Sequence, residues 1–228
     1  MRMGILLMLL ASLSATPTIA KDNEPAERLD EAAAVLSEIL ATPDKGIPEE
    51  LLANAECIVI VPALKTVAFG IGGKYGKGYL TCRNDNGRGW SAPATVRIEG
   101  GSVGFQIGGS ESDLVLLVMN ERGAEKLLSS EFTLGGKGSV AAGPVGRTST
   151  AQTDAWMQAE ILSWSRSRGL FAGVSLEGST LREDLDDNTT LYGKRLTNKQ
   201  IINSKVNAPK SAAKLLGLLN KLSPRKDT

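Results

Sequence analysis

The residues best suited to bind a ligand are lysines placed among glycines. Lys74 and Lys77 lie in the glycine-rich run 70–78, and Lys65 precedes that run by a few residues. Because glycine lets backbone N–H groups approach an anion closely, this run could contact the phosphate of a lipid headgroup. Neither its glycine spacing nor the residue after Lys77 matches a nucleotide-binding P-loop. The same residues also fit a glycine-rich hairpin that binds nothing.

Three arginines offer a second route to a phosphate. Arg147, Arg166 and Arg168 carry planar guanidinium groups, which can bind a phosphate through two parallel hydrogen bonds. The same groups are equally suited to ion pairs with Glu160 or Glu177. Both interpretations stay open on the sequence.

The residue types that most catalytic and metal sites require are scarce. The chain has no histidine and two cysteines, which excludes Ser-His-Asp and Cys-His catalysis, His-ligated zinc and iron–sulfur clusters. The acidic stretch 183–188 lacks the glycine and the closing glutamate of a calcium loop, so it is predicted to be a solvated turn or a partner for the basic tail. A net charge of +1 and few aromatic residues argue against nucleic-acid binding. We therefore predict a protein that is not an enzyme, with no catalytic residue, metal or cofactor.

The near-neutral total charge hides two oppositely charged parts. Among 26 Lys and Arg and 25 acidic residues, nine cations and one acid lie in residues 194–228, which gives this tail a charge of +8. Residues 21–193 hold 16 cations and 24 acids, which gives −8. The chain therefore divides into an acidic body and a basic tail.

The basic tail has the pattern of an amphipathic helix. A helix that begins after Pro209 places Lys210, Lys214 and Lys221 on one side. Four leucines occupy the other side: Leu215, Leu216, Leu219 and Leu222. Such a helix could lie on an anionic membrane, or it could dock by its leucine face on the acidic body of its own domain.

The start of the chain predicts export. Residues 1–20 have a positive start at Arg2, a short apolar run and a small-x-small cleavage site that ends at Ala20, as in a secretory signal peptide. The mature protein is then periplasmic or secreted, and it could associate peripherally with a membrane. An oxidising compartment would allow Cys57 and Cys82 to form a disulfide, the alternative being two buried free thiols.

The hydrophobic pattern predicts an α+β fold, with an antiparallel, curved, glycine-rich β-sheet flanked by N-terminal and internal helices. Helices are expected from Pro25, over 48–54 and over 121–130. Short strands, separated by glycines and by a hairpin turn at 84–87, are expected at 57–61, 67–71, 78–83, 94–98, 102–107, 114–119, 137–142, 156–168 and 170–176. The domains are then a signal peptide over 1–20, a globular domain over 21–193 and the tail over 194–228.

The order of several motifs resembles the SYLF family, also called Ysc84-like or DUF500. The motifs are GGKYGKG at 72–78, WSAP at 90–93, GGSVGFQIG at 100–108, SVAAGPVGR at 139–147 and SRSRGLFAGVSLEG at 165–178. The resemblance implies a lipid-binding module for anionic phospholipid, with phosphoinositide and in some cases actin as ligands of eukaryotic members. This chain looks like the stand-alone exported bacterial form, for which a periplasmic protein-interaction or scaffold role is the alternative. The candidate lipid-binding residues are Lys65, Lys74, Lys77, Arg147, Arg166, Arg168, Lys210, Lys214 and Lys221.

Overall fold

A computed structural model describes residues 24–42, 46–84, 89–134, 140–142, 160–167, 170–171, 176 and 178–223. The predicted signal peptide, the centre of the hairpin turn at 84–87, and the candidate residues Arg147 and Arg168 lie outside these residues. Among the described helices, none is both long and apolar enough to cross a bilayer.

The described chain is α+β, as predicted. The helices are α1 (Glu24–Leu40), α2 (Glu49–Asn54), α3 (Glu121–Leu127), α4 (Leu185–Tyr192), α5 (Asn198–Asn203) and α6 (Ala213–Leu222), with a 3-10 turn at Lys210–Ala212. The strands are β1 (Cys57–Cys82), β2 (Ala94–Val118), β3 (Glu131–Thr133), β4 (Val140–Ala142), β5 (Ile161–Ser167), β6 (Leu170–Phe171) and β7 (Ser179–Glu183).

The described strands form one seven-stranded sheet. Its main order is β3-β7-β2-β5-β4, with β1 paired to β2 and β6 paired to β5. The pairings are antiparallel except that β4 runs parallel to β5. The long central pair of β1 and β2 positions nearly every other element.

Two long strands replace the six short ones predicted between residues 57 and 119. The glycines interpreted as breaks lie inside the β1–β2 ladder, where Gly72 pairs with Ser102 and Gly73 pairs with Gly101. Glycine can occupy a strand when its partner strand supplies the backbone hydrogen bonds, so it need not mark a turn. The run 70–78 is therefore strand rather than a separate hairpin.

Strand β1 folds back so that its two ends lie side by side. A Cβ on Gly78 would lie 2.0 Å from the carbonyl oxygen of Ile60, so a glycine is needed for this approach. Close to this contact, the first and last residues of β1, Cys57 and Cys82, form the predicted disulfide. The N–H of Arg83 donates to the carbonyl of Glu56 at 2.8 Å, which extends the contact by one residue.

The alternation of side chains along β1 gives the sheet two apolar faces. On one face, Ile58 and Ile60 pack in a single core with residues of α1, α2 and α6. On the other face, Val59 and Val61 pack with residues of β2, β7 and α3. The helix predicted in the basic tail is therefore docked on its own domain, one of the two alternatives that the sequence left open.

Candidate functional site

The candidate lipid-binding residues that the structure describes do not lie together at one site. Lys77 lies in a cluster of buried charges, and Lys74 is buried elsewhere on the same strand. Lys65 and Arg166 line a groove beside the part of the β1–β2 ladder where Lys65 pairs with Glu111. Lys210, Lys214 and Lys221 lie on the exposed side of the docked C-terminal segment.

Lys77 is held by two carboxylates. Its Nζ lies 3.1 Å from Oδ2 of Asp184 and 2.9 Å from Oδ1 of Asp187. Asp187 also accepts a 2.7 Å hydrogen bond from Nη1 of Arg28, which joins α1 to α4. Burial by itself would lower the pKa of Lys77, but the two carboxylates outweigh it and raise that pKa. The Lys77 ammonium therefore stabilises the fold, and it would have to leave two acids to contact a headgroup.

The acidic stretch begins a helix rather than forming a solvated turn, and it contacts the tail through hydrogen bonds. The N–H of Asn198 donates to Glu183 at 3.1 Å, and Nδ2 of Asn188 donates to the carbonyl of Leu196 at 3.1 Å. Asp184 begins α4 as its N-cap, accepting a hydrogen bond from the N–H of Asp187. The next polar residue, Asn188, is fully buried and accepts a 2.8 Å hydrogen bond from the N–H of Thr95. The ion-pair partners of these acids are Lys77 and Arg28, which are far away in sequence, so a pattern along the chain could not show them.

Lys74 lies on the opposite face of β1 from Lys77 and is 9% exposed. It pairs in register with Gly100 of β2. Burial lowers the pKa of Lys74, since the interior disfavours its charged form. The glycine-rich run thus separates its two lysines between the two faces of the sheet and does not form a single cradle for a phosphate.

Arg166 forms ion pairs, but not with the predicted acids. Its guanidinium contacts Glu38 of α1 and lies 3.1 Å from Oδ2 of Asp113, which is opposite Arg166 in the β2–β5 register. Glu160 pairs instead with Lys126, at 2.7 Å, and Glu177 lies outside the described residues. Burial alone would lower the pKa of Arg166, but Asp113 and Glu38 raise it.

An open groove of about 870 Å³ runs beside Arg166 and Lys65. Its other lining residues include two acids, Glu111 and Asp113. Asp113 also accepts a 3.1 Å hydrogen bond from the N–H of Ala63, which has a φ of 51° at an irregularity in the β1–β2 register. The groove therefore balances its cations with acids, and nothing in it selects for an anion.

The C-terminal segment presents cations that no acid offsets. Between residues 194 and 223 the sequence has no Asp or Glu, and each of its Lys and Arg side chains is exposed. We call these seven residues the basic surface: Lys194, Arg195, Lys199, Lys205, Lys210, Lys214 and Lys221. Within the described part of the chain, none of them has an acid within ion-pair distance.

The leucine side of α6 and a buried arginine hold the basic surface in place. Leu215 and Leu219 are fully buried in the core against α1. Beyond the helix, Nη1 of Arg83 donates to the carbonyl of Ser223 at 2.6 Å, and Nε1 of Trp90 donates to its hydroxyl at 3.1 Å.

Arg83 also fixes the end of α2. Its Nη2 donates to the carbonyls of Leu52 and Ala53, at 3.3 and 3.1 Å, and its Nε donates to that of Ala55. The guanidinium stacks over Trp90, 4.2 Å from the ring centre. Sequence reasoning missed Arg83, because a single arginine after a strand gives no sign of partners far along the chain.

Helix α5 was also missed, although its signal is in the sequence. Thr197 and Gln200 form a capping box, in which each side chain accepts from the backbone N–H of the other residue. Ile201 of this helix packs on Ala92 and Ala94, and the Tyr192 hydroxyl donates to the carbonyl of Pro93 at 2.6 Å. The segment between α4 and α6 is therefore anchored to the same domain.

Together, the fold and the basic surface define an α+β domain with a docked, cationic C-terminal segment. The family model named Ysc84, described as "Las17-binding protein actin regulator", matches residues 99–222, a span that runs through α6. The chain belongs to this Ysc84, or SYLF, family, as its motifs predicted.

Several curated relatives carry the same domain. An SH3 domain-containing protein of Schizosaccharomyces pombe is 40% identical over 76% of this chain and 41% of its own length. Protein YSC84 of Saccharomyces cerevisiae is 36% identical over 77% of this chain and 38% of its own length. LAS seventeen-binding protein 3 of the same yeast is 35% identical over 77% of this chain and 39% of its own length. The chain thus spans less than half the length of these relatives, and the family they represent is one of actin-regulating and binding proteins rather than a known enzyme family.

Proposed function

We propose that this chain is a non-enzymatic interaction module that binds an acidic protein partner through its basic surface. The observation that carries the proposal is the set of seven exposed cations without a neighbouring acid. Exposed charges of one sign steer an oppositely charged partner and speed its association. The tight docking of α6 means that this surface exists before the partner arrives.

The comparisons favour a protein over a lipid as the partner. The family description speaks of Las17 binding and actin regulation, and one relative is named a LAS seventeen-binding protein. Those words describe the relatives, but they support a protein-binding role for the domain that this chain shares with them. If residues 1–20 direct export, as we also propose, the partner is an acidic protein of the periplasm or the cell exterior rather than actin.

A second candidate partner is an anionic phospholipid membrane, including phosphoinositide-like headgroups. It is supported by Lys210, Lys214 and Lys221, which lie on the exposed side of one helical segment. Each lysine near an anionic surface contributes about 1 kcal/mol, so a few of them can retain a protein at a membrane. Since Leu215 and Leu219 are buried in the core, such binding would be electrostatic and would not insert the leucine face.

Parallel co-sedimentation assays separate these candidates. The purified protein is spun with actin filaments as an acidic protein probe, with phosphatidylglycerol-containing vesicles and with pure phosphatidylcholine vesicles. We expect pelleting with at least one anionic probe and none with neutral vesicles. Pelleting with filaments alone supports the protein partner, and pelleting with anionic vesicles alone supports the membrane.

The same assay with matched variants tests the surface itself. The variant Lys210→Gln/Lys214→Gln/Lys221→Gln is expected to lose most of the binding. The control Arg122→Gln/Lys126→Gln removes two exposed cations from α3 and is expected to bind as the wild type does. Failure of the wild type to bind either anionic probe, or equal loss of binding in both variants, would refute the proposal.

A further inference from the structure

The helices beside the basic surface carry an equal number of exposed acids. Every exposed charged residue of α1 and α2 is acidic, because Arg28, the one cation in these two helices, is buried. We call these seven residues the acidic surface: Glu24, Glu27, Asp30, Glu31, Glu38, Glu49 and Glu50. The acidic and basic surfaces thus have equal and opposite formal charges.

The acidic surface and the lysines of the 3-10 turn and α6 belong to helical segments that cover the same face of the sheet. Leu36 of α1, Leu52 of α2 and Leu219 of α6 meet in one core with Ile58 and Ile60 of β1. Because each of these helices buries its inner side in that core, their solvent-facing sides all point away from the same face of the sheet. The acids of α1 and α2 and the lysines of α6 are therefore presented on one side of the molecule.

The charges on the two surfaces do not neutralise one another within the chain. Of the acids, Glu24 pairs with Arg28 and Glu38 with Arg166, and neither of these cations belongs to the basic surface. Glu27, Asp30 and Glu31 make no ion pair in the described part of the protein. The lysines of α6 are likewise unpaired there. Most charges of the two surfaces therefore have no ion-pair partner in the described part of the chain.

The spacing of the charges in the sequence also matches. Glu27, Glu31 and Glu38 follow one another at intervals of four and seven residues, which places them on one side of α1. Lys210, Lys214 and Lys221 follow at the same two intervals, with Lys210 in the 3-10 turn and the other two in α6. The row on α1 is about 16 Å long at the rise of an α-helix, and the row of lysines has a similar length.

We propose that a second copy of this chain docks on this side of the molecule, with the acidic surface of each copy against the basic surface of the other. A two-fold axis between the copies creates both contacts at once, so the assembly closes as a dimer. Isolated surface ion pairs stabilise little, but two sets of matched charges form a network. The expected dimer is therefore reversible and sensitive to salt.

This inference goes beyond the proposed function, since it needs no other protein and no membrane. It also connects with that function, because the dimer covers the basic surface. An acidic partner that binds the basic surface should therefore compete with the second copy and release monomers.

Sedimentation-velocity analysis of the purified full chain tests the proposal at two salt concentrations. Raising the salt from about 0.1 M to about 1 M shortens the screening length from about 10 Å to about 3 Å. We expect a monomer–dimer equilibrium at the lower salt and a dissociation constant at least roughly tenfold higher at the upper salt. A monomer at the lower salt throughout the accessible concentration range would overturn the proposal.

Charge reversal on each surface gives the sharper test. One variant carries Lys210→Glu, Lys214→Glu and Lys221→Glu, and a second carries Glu27→Lys, Asp30→Lys and Glu31→Lys. Each is expected to be monomeric alone, because like charges then face each other. A mixture of the two should form a mixed dimer, because the reversed surfaces of the two variants complement each other.

A control variant and a binding assay complete the design. Glu121→Lys/Glu125→Lys, which reverses two exposed acids on α3, should leave the dimer unchanged. If each variant alone still dimerises, or if the mixture stays monomeric while both variants unfold at the wild-type temperature, the proposal is wrong. The acid-reversed variant keeps the basic surface, so loss of its dimer with retained partner binding separates this proposal from the proposed function.

Discussion

Two cations, the buried Arg83 and the partly buried Lys77, join parts of the chain that are far apart in sequence. Arg83 connects the end of α2 to Ser223, 140 residues further along. Lys77 connects β1 to Asp187 of α4, 110 residues further along. A cation away from water needs polar partners, and here Arg83 has backbone carbonyls and Lys77 has two carboxylates. The sequence contains both cations but cannot show partners at such distances, so a lipid headgroup remains a candidate partner of Lys77 at that level.

Removing the Arg83 guanidinium should destabilise the protein strongly. We expect Arg83→Met to lower the free energy of unfolding by about 3 kcal/mol, because several buried carbonyls lose their donor. Urea denaturation measures the change. The matched control is Arg122→Met, an exposed arginine of α3 that should change stability by no more than about 0.5 kcal/mol. Similar values for the two variants would show that Arg83 does not anchor the C-terminus.

Asp187 should contribute far more to the stability of the fold than its neighbour Asp186. We expect Asp187→Asn to cost about 3 kcal/mol, because Arg28 and Lys77 both lose a charged partner in a largely buried site. Asp186→Asn changes an exposed carboxylate of the same helix and should be nearly neutral. The comparison uses the same denaturation assay. Equal effects of the two substitutions would contradict the charge cluster.

The contribution of Lys77 should depend on pH in one direction. Its folded pKa is raised above the ordinary value of 10.5, so its stabilising effect is fully present below that pH. The effect is lost as the pH rises through the folded pKa. The stability difference between the wild type and Lys77→Met should therefore stay constant around neutral pH and shrink above about pH 10.5. A difference that shrinks on acidification to neutral pH would contradict this assignment.

The folded-back shape of strand β1 depends on close contacts between residues near its two ends, among them Gly78 and Ile60. Gly78→Ala would place a methyl group against the carbonyl of Ile60, so we expect a loss of about 2–3 kcal/mol in the free energy of unfolding. Gly101→Ala lies in the paired strand, where a Cβ would meet nothing within 4 Å, and it should be tolerated. Thermal and urea denaturation compare the two variants. A Gly78→Ala protein as stable as the Gly101→Ala protein would refute the folded-back geometry.

Helix α6 is part of the core and not an appended tail. We expect Leu219→Ala to cost about 2–5 kcal/mol, since its side chain is fully buried against α1. Lys214→Ala, on the exposed side, should stay within about 0.5 kcal/mol of the wild type. Truncation after Gly193 would therefore unfold the domain as well as remove the lysines. If Leu219→Ala is as stable as Lys214→Ala, the helix is not docked in solution.

Much of the secondary structure could be predicted from local pattern. The hydrophobic pattern from Pro25 predicted α1, and the helix expected over 121–130 corresponds to α3. The prediction that glycines separate short strands was wrong, because the pairing of these glycines in the β1–β2 ladder depends on strand register and not on local sequence. The sequence could not decide whether α6 docks on its own domain or on a membrane, because a leucine face can bury itself in either.

Positive and negative charges are concentrated in different parts of the molecule, and the sequence already shows this uneven distribution. The structure adds that the cations of residues 194–223 are exposed without an acidic neighbour in the described chain, and that α1 and α2 expose acids alone. Of the described candidate residues in the glycine-rich run and the groove, Lys77 and Arg166 are paired with acids, Lys74 is buried, and Lys65 is exposed in a groove that also holds two acids. The basic surface differs from them because it exposes its cations without an acid within ion-pair distance in the described chain.

Lysine acetylation, read by mass spectrometry, tests the basic surface as the docking site most directly. The protein is labelled free and bound to whichever anionic probe it pellets with. We predict that Lys199, Lys210, Lys214 and Lys221 become several-fold less reactive on binding. The exposed lysines Lys65 and Lys126, which lie elsewhere, should react equally in both states. Protection of Lys65 without protection of the basic surface would contradict the account and place the partner in the groove.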